Sequence, residues 1–359
     1  MLGVGFSLTM ERGTLSVDGS MFEGGGQILR IALCISGLTG RPLNIRNIRV
    51  GRPKPGLARS HLAALKTFAK ITNTRLDQVK VGTREFTLHP KALSAGVYTA
   101  ECETAGSCSL MFQCLFPLLL KTGSTAVVRG GTDVHFSPPS YFVVNVLKPT
   151  LAKMGIEFEY RVDEYGFEPT GGGEVLVTPI QTDIIQPLVL LEKGEIVGVT
   201  GEILLSRGRP KPGTTPFDHA FGETMIQAIT DHLGMPNVEL TIKEVSYPSR
   251  CAVVSLIVHT STGCLFHSSI LEASKQLDAG RLGINAANDL LRELNGDFTV
   301  DSHIQDQTIL FMALATGESR VKTCEPTDHT KGALHLVETL LGAQVSYQDG
   351  VLTVQGIGR

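Results

Sequence analysis

Short predicted strands alternate with predicted helices along most of the chain, and this alternation limits the possible folds more than any other feature of the sequence. Strands are predicted at residues 14–17, 43–50, 86–89, 97–100, 125–129, 156–162 and 175–178, and helices at residues 28–38, 57–71, 105–120 and 141–154. Alternation of this kind is typical of sheets covered by helices. Because the pattern recurs, the sequence predicts an α/β (α+β) protein built from repeated units.

The chain is long enough for more than one domain, since it has 359 residues. Its hydrophobic content of 42% and charged content of 19% are typical of a water-soluble globular protein with a sizeable core. The pattern of predicted elements changes near residue 187, and the strands and helices predicted after it could bury a small core of their own. We therefore predict a large domain at residues 1–186 and 299–359, interrupted by an inserted small α/β domain at residues 187–298.

Cysteine spacing and hydrophobicity place limits on the compartment. The seven cysteines are odd in number and contain no C-x-x-C pair, so neither a disulfide framework nor a zinc site is predicted. Free thiols fit a reducing compartment. The N-terminal stretch lacks the basic start and cleavage site of a signal peptide, and no apolar run approaches the ~20 residues of a membrane span. These features predict an intracellular protein, in the nucleus or the cytoplasm, without membrane contact.

A glycine triplet at residues 24–26 follows Glu23 and lies between a predicted strand and a predicted helix. A glycine-rich loop at a helix start can bring backbone N–H groups close to an anion. The same triplet also suits a tight turn that merely needs glycine, and the sequence leaves both readings open.

Positive charge is concentrated in one block that contains no Asp or Glu from residue 24 to residue 76. Its ten cations are Arg30, Arg41, Arg46, Arg49, Arg52, Lys54, Arg59, Lys66, Lys70 and Arg75. Solvated charge runs usually mix signs, so a block of one sign favours a polyanionic partner such as nucleic acid or nucleotide phosphates. Chance clustering on a solvated face is the alternative.

His329 is the candidate nucleophile. Apolar residues at helical spacing follow it between residues 333 and 341, and Thr327 and Asp328 just before it are good N-cap types. A helix start presents free N–H groups and partial positive charge, which suits a bound phosphate. A histidine beside bound phosphate could act as a nucleophile, and a surface histidine in a helix cap is the plainer alternative.

Several motifs together resemble those of the RNA 3′-terminal phosphate cyclase family. They are Asp18-Gly19, EGGGQILR at residues 23–30, R-x-G-R-x-x-P-G-L at residues 49–57 with His61-Leu62, TAGS at residues 104–107, GGT at residues 130–132, GGG at residues 171–173, QDQ at residues 305–307 and His329-Thr330. The resemblance covers nearly the whole chain in order. It implies a large domain of three repeated βαβαββ units with a smaller α/β domain inserted.

The resemblance also implies an ATP-dependent reaction in three steps. A histidine attacks the α-phosphate of ATP, which gives histidine–AMP and pyrophosphate. The AMP passes to the 3′-phosphate of an RNA, and the neighbouring 2′-hydroxyl then forms a 2′,3′-cyclic phosphate and releases AMP. The implied cofactors are ATP and a divalent metal, Mg or Mn, and the implied partner is RNA with a 3′-phosphate end.

Site residues follow from the resemblance position by position. The histidine nucleophile corresponds to His329, and Glu23 corresponds to a carboxylate near the metal. The residues that correspond to nucleotide contacts are Gln113, Pro138, His303, Asp306 and Gln307, and those that correspond to residues needed for activity are Arg30, Arg49, Arg52 and His61. The family commonly has Tyr where this chain has His303. None of these residues lies in the predicted insert, so the insert is predicted to be dispensable for the reaction with ATP.

Two other classes of protein remain as alternatives. Cyclase-like proteins involved in ribosome assembly look similar but lack the catalytic histidine, so such a chain would be an inactive RNA-binding protein. Enolpyruvyl transferases have a similar repeated architecture and act on small molecules. His329 and the QDQ motif favour the cyclase.

Overall fold

The structure is a computed structural model that describes residues 13–209 and 213–358. Its strands are β1 Leu15–Asp18, β2 Leu43–Arg46, β3 Phe86–Leu88, β4 Val97–Glu101, β5 Thr125–Gly130, β6 Glu157–Glu164, β7 Gly173–Ile180, β8 Val189–Leu190, β9 Ile196–Ser206, β10 Val238–Val245, β11 Cys251–Thr260, β12 Leu265–Glu272, β13 Glu318–Lys322, β14 Gln344–Gln348 and β15 Val351–Gln355. Its helices are α1 Gly26–Thr39, α2 Arg59–Ile71, α3 Cys108–Thr122, α4 Ser140–Phe142, α5 Lys148–Ala152, α6 His219–Leu233, α7 Ala279–Glu293, α8 Ser302–Leu314 and α9 Asp328–Leu336, with π-helical segments at Val143–Leu147 and Val337–Leu341. None of the helices in these ranges is long and apolar enough to cross a membrane.

Three sheets repeat one plan. In the sheet β4-β5-β7-β6, β4 and β5 are parallel, β7 is antiparallel to β5, and β6 is antiparallel to β7. The sheet β8-β13-β15-β14 has the same order and the same directions. The sheet β1-β2-β3 matches the first part of the plan, with β1 parallel to β2 and β3 antiparallel to it. Helices connect the strands in each unit, so the predicted α/β (α+β) fold of three repeated units is confirmed.

The fourth sheet belongs to the chain between β8 and α8. Its order is β10-β9-β11-β12, and α6 and α7 pack against it. A cluster of buried apolar side chains lies within this unit, as a small domain requires. The strand β8 pairs with β13 of the third unit, so Val189–Leu190 is hydrogen-bonded to the large domain. The domain limits at residues 187 and 298 stay a prediction.

The predicted strand at residues 43–50 is longer than the one that the structure has. The strand β2 ends at Arg46 and not at residue 50, because Asn47 and Arg49 adopt positive φ angles of 54° and 51° that end an extended strand. The QDQ motif at residues 305–307 lies within the helix α8. Asp301 caps this helix, so Asp306 lies in its second turn and not at its start.

The helix α1 is central to the large domain. Its residues from 27 to 37 are buried apart from Arg30, which is typical of a helix surrounded by other elements. It packs against α3 of the second unit and α9 of the third. The glycine loop at its start is therefore brought next to the start of α9, where His329 lies.

Candidate active site

His329 lies in the first turn of α9, as the sequence predicts. Thr327 is the N-cap, and its side chain accepts a hydrogen bond from the backbone N–H of Thr330 at 3.2 Å. The hydroxyl of Thr330 donates to Gln305 Oε1 at 2.9 Å, which ties the start of α9 to α8. The side chain of His329 is 47% exposed, so the imidazole is accessible to a ligand while its helix is fixed to α8.

A chain of two hydrogen bonds sets the orientation of the His329 ring. Gln27 Nε2 donates to Asp306 Oδ2 at 3.0 Å, and Gln27 Oε1 lies 2.7 Å from His329 Nδ1. An ionised carboxylate only accepts, so the amide turns its NH₂ group toward Asp306 and its oxygen toward the imidazole. That oxygen also only accepts, so Nδ1 carries the proton. In the neutral ring, Nε2 therefore has the free lone pair that a nucleophile needs.

Asp306, at the other end of this series of hydrogen bonds, is a largely enclosed carboxylate. Burial raises its pKa, while the hydrogen bond from Gln307 and the nearby rings of His329 and His303 act in the opposite direction. The carboxylate also accepts a hydrogen bond from Gln307 Nε2 at 3.0 Å. Asp306 is thus held by Gln307 of its own motif and by Gln27 of α1.

Charged groups surround the second ring nitrogen of His329. Glu23 Oε2 lies 3.4 Å from His329 Nε2, and the carboxylate of Glu23 forms an ion pair with Arg52. Gly25, two residues after Glu23, leaves room for this arrangement, since a Cβ there would meet the carboxylate of Glu23. The loop thus brings one carboxylate and one guanidinium to the nitrogen that is free to react.

Arg30 and His61 form a second group behind the glycine loop. A Cβ on Gly26 would meet the ring of His61 and the guanidinium of Arg30, so glycine leaves room where the two side chains converge on the helix start. Arg30 Nε donates to Gln113 Oε1 at 2.9 Å. His61 Nδ1 accepts from the backbone N–H of Ala58 at 3.2 Å. Burial, with the positive charges of Arg30 and Arg49, lowers the pKa of His61 to about 3, so its ring is neutral.

Arg49 supports its own loop. Its guanidinium donates to the carbonyl oxygens of Lys54 and Gly56 at 3.1 and 3.0 Å. These bonds close the rigid turn that also carries Arg52. The structure therefore gives Arg49 a structural partner, and its predicted role in catalysis stays a prediction.

A cavity of about 400 Å³ opens beside His329. Six of the predicted residues line it, namely Arg30, Pro138, His303, Asp306, Gln307 and His329. Glu23, Arg52 and Gln113 are not among its lining residues. Glu23 contacts the lining residue His329 and pairs with Arg52, and Gln113 accepts a hydrogen bond from the lining residue Arg30. A cavity of this size suits a nucleotide-sized ligand.

The inserted domain forms part of the cavity wall, which sequence reasoning missed. His267 and Ser269, both on β12, line the cavity together with residues of the large domain. The expectation that the insert is dispensable for the reaction with ATP rested on the positions of the matched residues alone. With two side chains of β12 in the wall, we expect the insert to influence how a ligand binds.

The cationic block does not form one surface. Arg30, Arg49 and Arg52 lie near His329 and His61, as described above. Arg41 donates to backbone carbonyls of Gly13 and Leu340, and Arg75 pairs with Asp77. The remaining members, Arg46, Lys54, Arg59, Lys66 and Lys70, are exposed. Only part of the block can therefore contact a polyanion bound at the cavity.

Glu23 is the predicted metal ligand. The described residues contain no group of three or more His, Cys, Asp or Glu side chains arranged to hold a metal ion. Mg²⁺ is often held by one or two carboxylates together with substrate phosphates. A single carboxylate at Glu23 therefore fits a metal that arrives with ATP, and does not fit a preformed metal cage. When bound, such a metal would offset the charge of the phosphates.

Gln27 lies within the EGGGQILR motif at residues 23–30, but the motif does not reveal its contact with His329. The two residues are 302 positions apart in the sequence. The helix α1 has no capping side chain and no acidic residue in its first turn, yet Gln27 is buried there. A buried amide needs hydrogen-bond partners, so Gln27 indicates a contact with another part of the chain. The identity of that partner depends on how α1 packs against α9.

Comparisons with known proteins agree along nearly the whole chain. A family model described as RNA 3′-terminal phosphate cyclase matches residues 21–347. Relatives named RNA 3′-terminal phosphate cyclase include one from Drosophila melanogaster, 32% identical over 96% of this chain and 97% of that protein. Another, from Archaeoglobus fulgidus, is 32% identical over 95% of this chain and 100% of its own length. A third, from Pseudomonas fluorescens, is 33% identical over 96% of this chain and 98% of that protein.

The solved structure of the enolpyruvyl transferase NikO from Streptomyces tendae is 12% identical, with a TM-score of 0.24, and covers 96% of this chain and 82% of that chain. This likeness is too weak to support a structural argument.

Proposed function

Because the chain belongs to the RNA 3′-terminal phosphate cyclase family, whose members are ligase-class enzymes, we propose that it uses ATP to convert an RNA 3′-terminal phosphate into a 2′,3′-cyclic phosphate. The observation that carries the proposal is the chain of hydrogen bonds from Asp306 through Gln27 to His329. It places the proton of His329 on Nδ1 and so leaves the lone pair of Nε2 for attack at a nucleotide-sized cavity.

In the first step, His329 Nε2 attacks the α-phosphorus of ATP. A P–N bond forms, the bond to the bridging oxygen of the β-phosphate breaks, and pyrophosphate leaves. Arg52 and Arg30 are the nearby cations that would offset the charge of the phosphates. Gln27 keeps the ring in position and accepts the hydrogen bond from Nδ1–H, which strengthens as the imidazole becomes positively charged.

In the second step, an oxygen of the RNA 3′-phosphate attacks the phosphorus of histidine–AMP and the P–N bond breaks. The RNA then carries an AMP on its 3′-phosphate, and His329 is restored. In the third step, the 2′-hydroxyl attacks the 3′-phosphorus, loses its proton and displaces AMP. The exposed arginines and lysines of the cationic block are the candidates for contact with the RNA backbone. A location in the nucleus or cytoplasm also stays a prediction.

The test is covalent labelling of the full-length protein by α-labelled ATP without RNA. We expect one labelled AMP per chain, lost in acid and stable in alkali, as a phosphoramidate is. The variant His329→Asn should retain the fold and lose labelling by at least about 10³-fold. His335→Asn, in the same helix α9, is the matched control and should label normally.

Two outcomes would contradict the proposal. A wild-type protein that binds RNA but never becomes labelled would favour the inactive, cyclase-like RNA-binding alternative. Labelling of His329→Asn at the wild-type rate would remove His329 as the nucleophile and leave His61 or His303 as the next candidates.

A further inference from the structure

The side chains that line the cavity beside His329 form two chemically different groups, which we call its two sides. Charged groups lie at one side, where Arg30, Asp306 and His329 line the cavity. Rings lie at the other side, where Phe142, His267 and His303 contribute to the wall. The ring centroid of His267 lies 4.9 Å from that of Phe142 and 6.3 Å from that of His303. We call these three side chains the ring wall.

His267 is the one member of the ring wall that comes from the inserted domain, and it is 2% exposed. Both of its ring nitrogens are buried and have no hydrogen-bond partner among the described residues. Burial, with a smaller effect of the charge of His303, lowers the pKa of His267 to about 3, so the ring is neutral. A neutral imidazole carries one N–H donor and one acceptor nitrogen, and leaving both unpaired costs free energy.

The position of His267 is fixed by the large domain. Its backbone N–H donates to Asp301 Oδ2 at 2.7 Å. The other oxygen of the same carboxylate accepts from the backbone N–H groups of His303 and Ile304 and caps α8. One buried carboxylate therefore joins β12 of the insert to the helix that carries His303 and Asp306. This arrangement holds the His267 ring in register with the rest of the wall.

We propose that His267 reads the edge of the nucleobase of ATP and thereby makes the inserted domain part of the nucleotide-binding site. The inference rests on the proposed function for the identity of the ligand. If His329 Nε2 attacks the α-phosphate, that phosphate lies at the charged side, and the nucleoside fills the rest of the cavity. A purine is planar and suits the faces of rings, and its edge carries both donors and acceptors. It therefore offers His267 the hydrogen bond that the protein does not.

The test compares two substitutions of the same residue in the full-length protein. His267→Phe keeps a ring of similar shape and removes both nitrogens, whereas His267→Asn retains one donor and one acceptor. For His267→Phe we expect about tenfold weaker ATP binding by calorimetry and a reduced preference for ATP over GTP, with the labelling rate at saturating ATP unchanged. His267→Asn should restore at least part of both. His259→Phe is the control, since His259 lies on the neighbouring strand β11 and bonds Thr200.

The outcomes separate this inference from the proposed function. If His267→Phe binds ATP as the wild type does and keeps its base preference, the inference is wrong and His267 is a packing residue, while labelling of His329 is unaffected. If the wild type is never labelled but His267→Phe still weakens ATP binding and base preference, the proposed reaction fails and the inference stands. An equal loss in His267→Phe and His259→Phe would show a general effect on the insert and would also overturn the inference.

Discussion

The two sides of the cavity differ in how their polar groups are satisfied. On the charged side, Asp306 and His329 are both bonded to Gln27 behind the cavity wall, and Glu23 lies close to His329, so these polar groups already have protein partners. In the ring wall, both nitrogens of His267 are buried without one. Polar groups that are hydrogen-bonded to one another are already oriented for the chemical step. A buried polar group without a protein partner can form its hydrogen bond only with a ligand. The first side should therefore set the rate, and the second should set affinity and choice of base.

Gln27→Leu gives the largest effect that this comparison predicts. Leu is similar in size but can neither accept from His329 Nδ1 nor donate to Asp306, so the imidazole loses the bond that fixes its proton on Nδ1. Misplacing the proton of a catalytic imidazole severely slows the reaction. We expect the labelling rate at saturating ATP to fall by about 100-fold, with ATP binding changed by less than about threefold.

Gln227→Leu is the control for this variant, because Gln227 lies on α6 of the insert and bonds Asp231 within the same helix. Rapid-quench labelling gives the rate, and calorimetry gives the binding constant. If Gln27→Leu weakened ATP binding while labelling at saturation remained normal, the division of roles between the two sides would be wrong.

The charged side could be predicted from the sequence to a large extent, because its residues fall within motifs. Glu23 and Arg52 lie in short motifs of the first unit, and Thr327 marks the start of the helix that carries His329. Local rules for capping and glycine loops indicate the start of α9 and the loop after Glu23, whereas the roles predicted for Glu23 and Arg52 come from the family resemblance. The repeated fold was predicted in the same way, since alternating strands and helices are a local signal.

The ring wall could not be predicted, because it depends on how distant segments pack. His267 lies on a buried strand of the insert, where the sequence shows only a histidine among apolar and small residues. Its place in the cavity comes from the bond between its backbone and Asp301, 34 residues away. The same limit explains the missed contact between Gln27 and His329. Pairings between distant segments are set by packing of the whole molecule and leave no local pattern.

Arg52→Ala should have the next largest effect, and it extends the comparison to RNA. Arg52 pairs with Glu23 beside His329, so we expect it to contact the terminal phosphate of the RNA as well as the phosphates of ATP. Loss of a charged hydrogen bond should weaken binding of a 3′-phosphate end by about tenfold or more, and binding of a 3′-hydroxyl end far less.

The control for Arg52→Ala is Arg75→Ala, because Arg75 belongs to the same cationic block but pairs with the exposed Asp77. Binding of both RNA ends is measured over a range of salt concentrations, since phosphate contacts weaken as salt rises. Equal losses for the two ends in Arg52→Ala would mean that the terminal phosphate is read elsewhere and that Arg52 belongs to a general RNA surface.

The smallest effect is predicted for His303→Tyr in the ring wall, and its sign is the informative part. His303 is exposed on the first turn of α8, and its ring lies 6.3 Å from that of His267, nearly perpendicular to it. The family commonly has Tyr here, and a phenol ring offers a nucleobase a larger face than imidazole does. If the base lies against this wall, His303→Tyr should bind ATP roughly twofold to tenfold more tightly, and His303→Ala should bind it more weakly.

Labelling at saturating ATP should not change in either variant, because neither alters the groups around His329. Tighter binding with an unchanged rate would place the base at the ring wall, whereas weaker binding by His303→Tyr would show that the base lies elsewhere in the cavity.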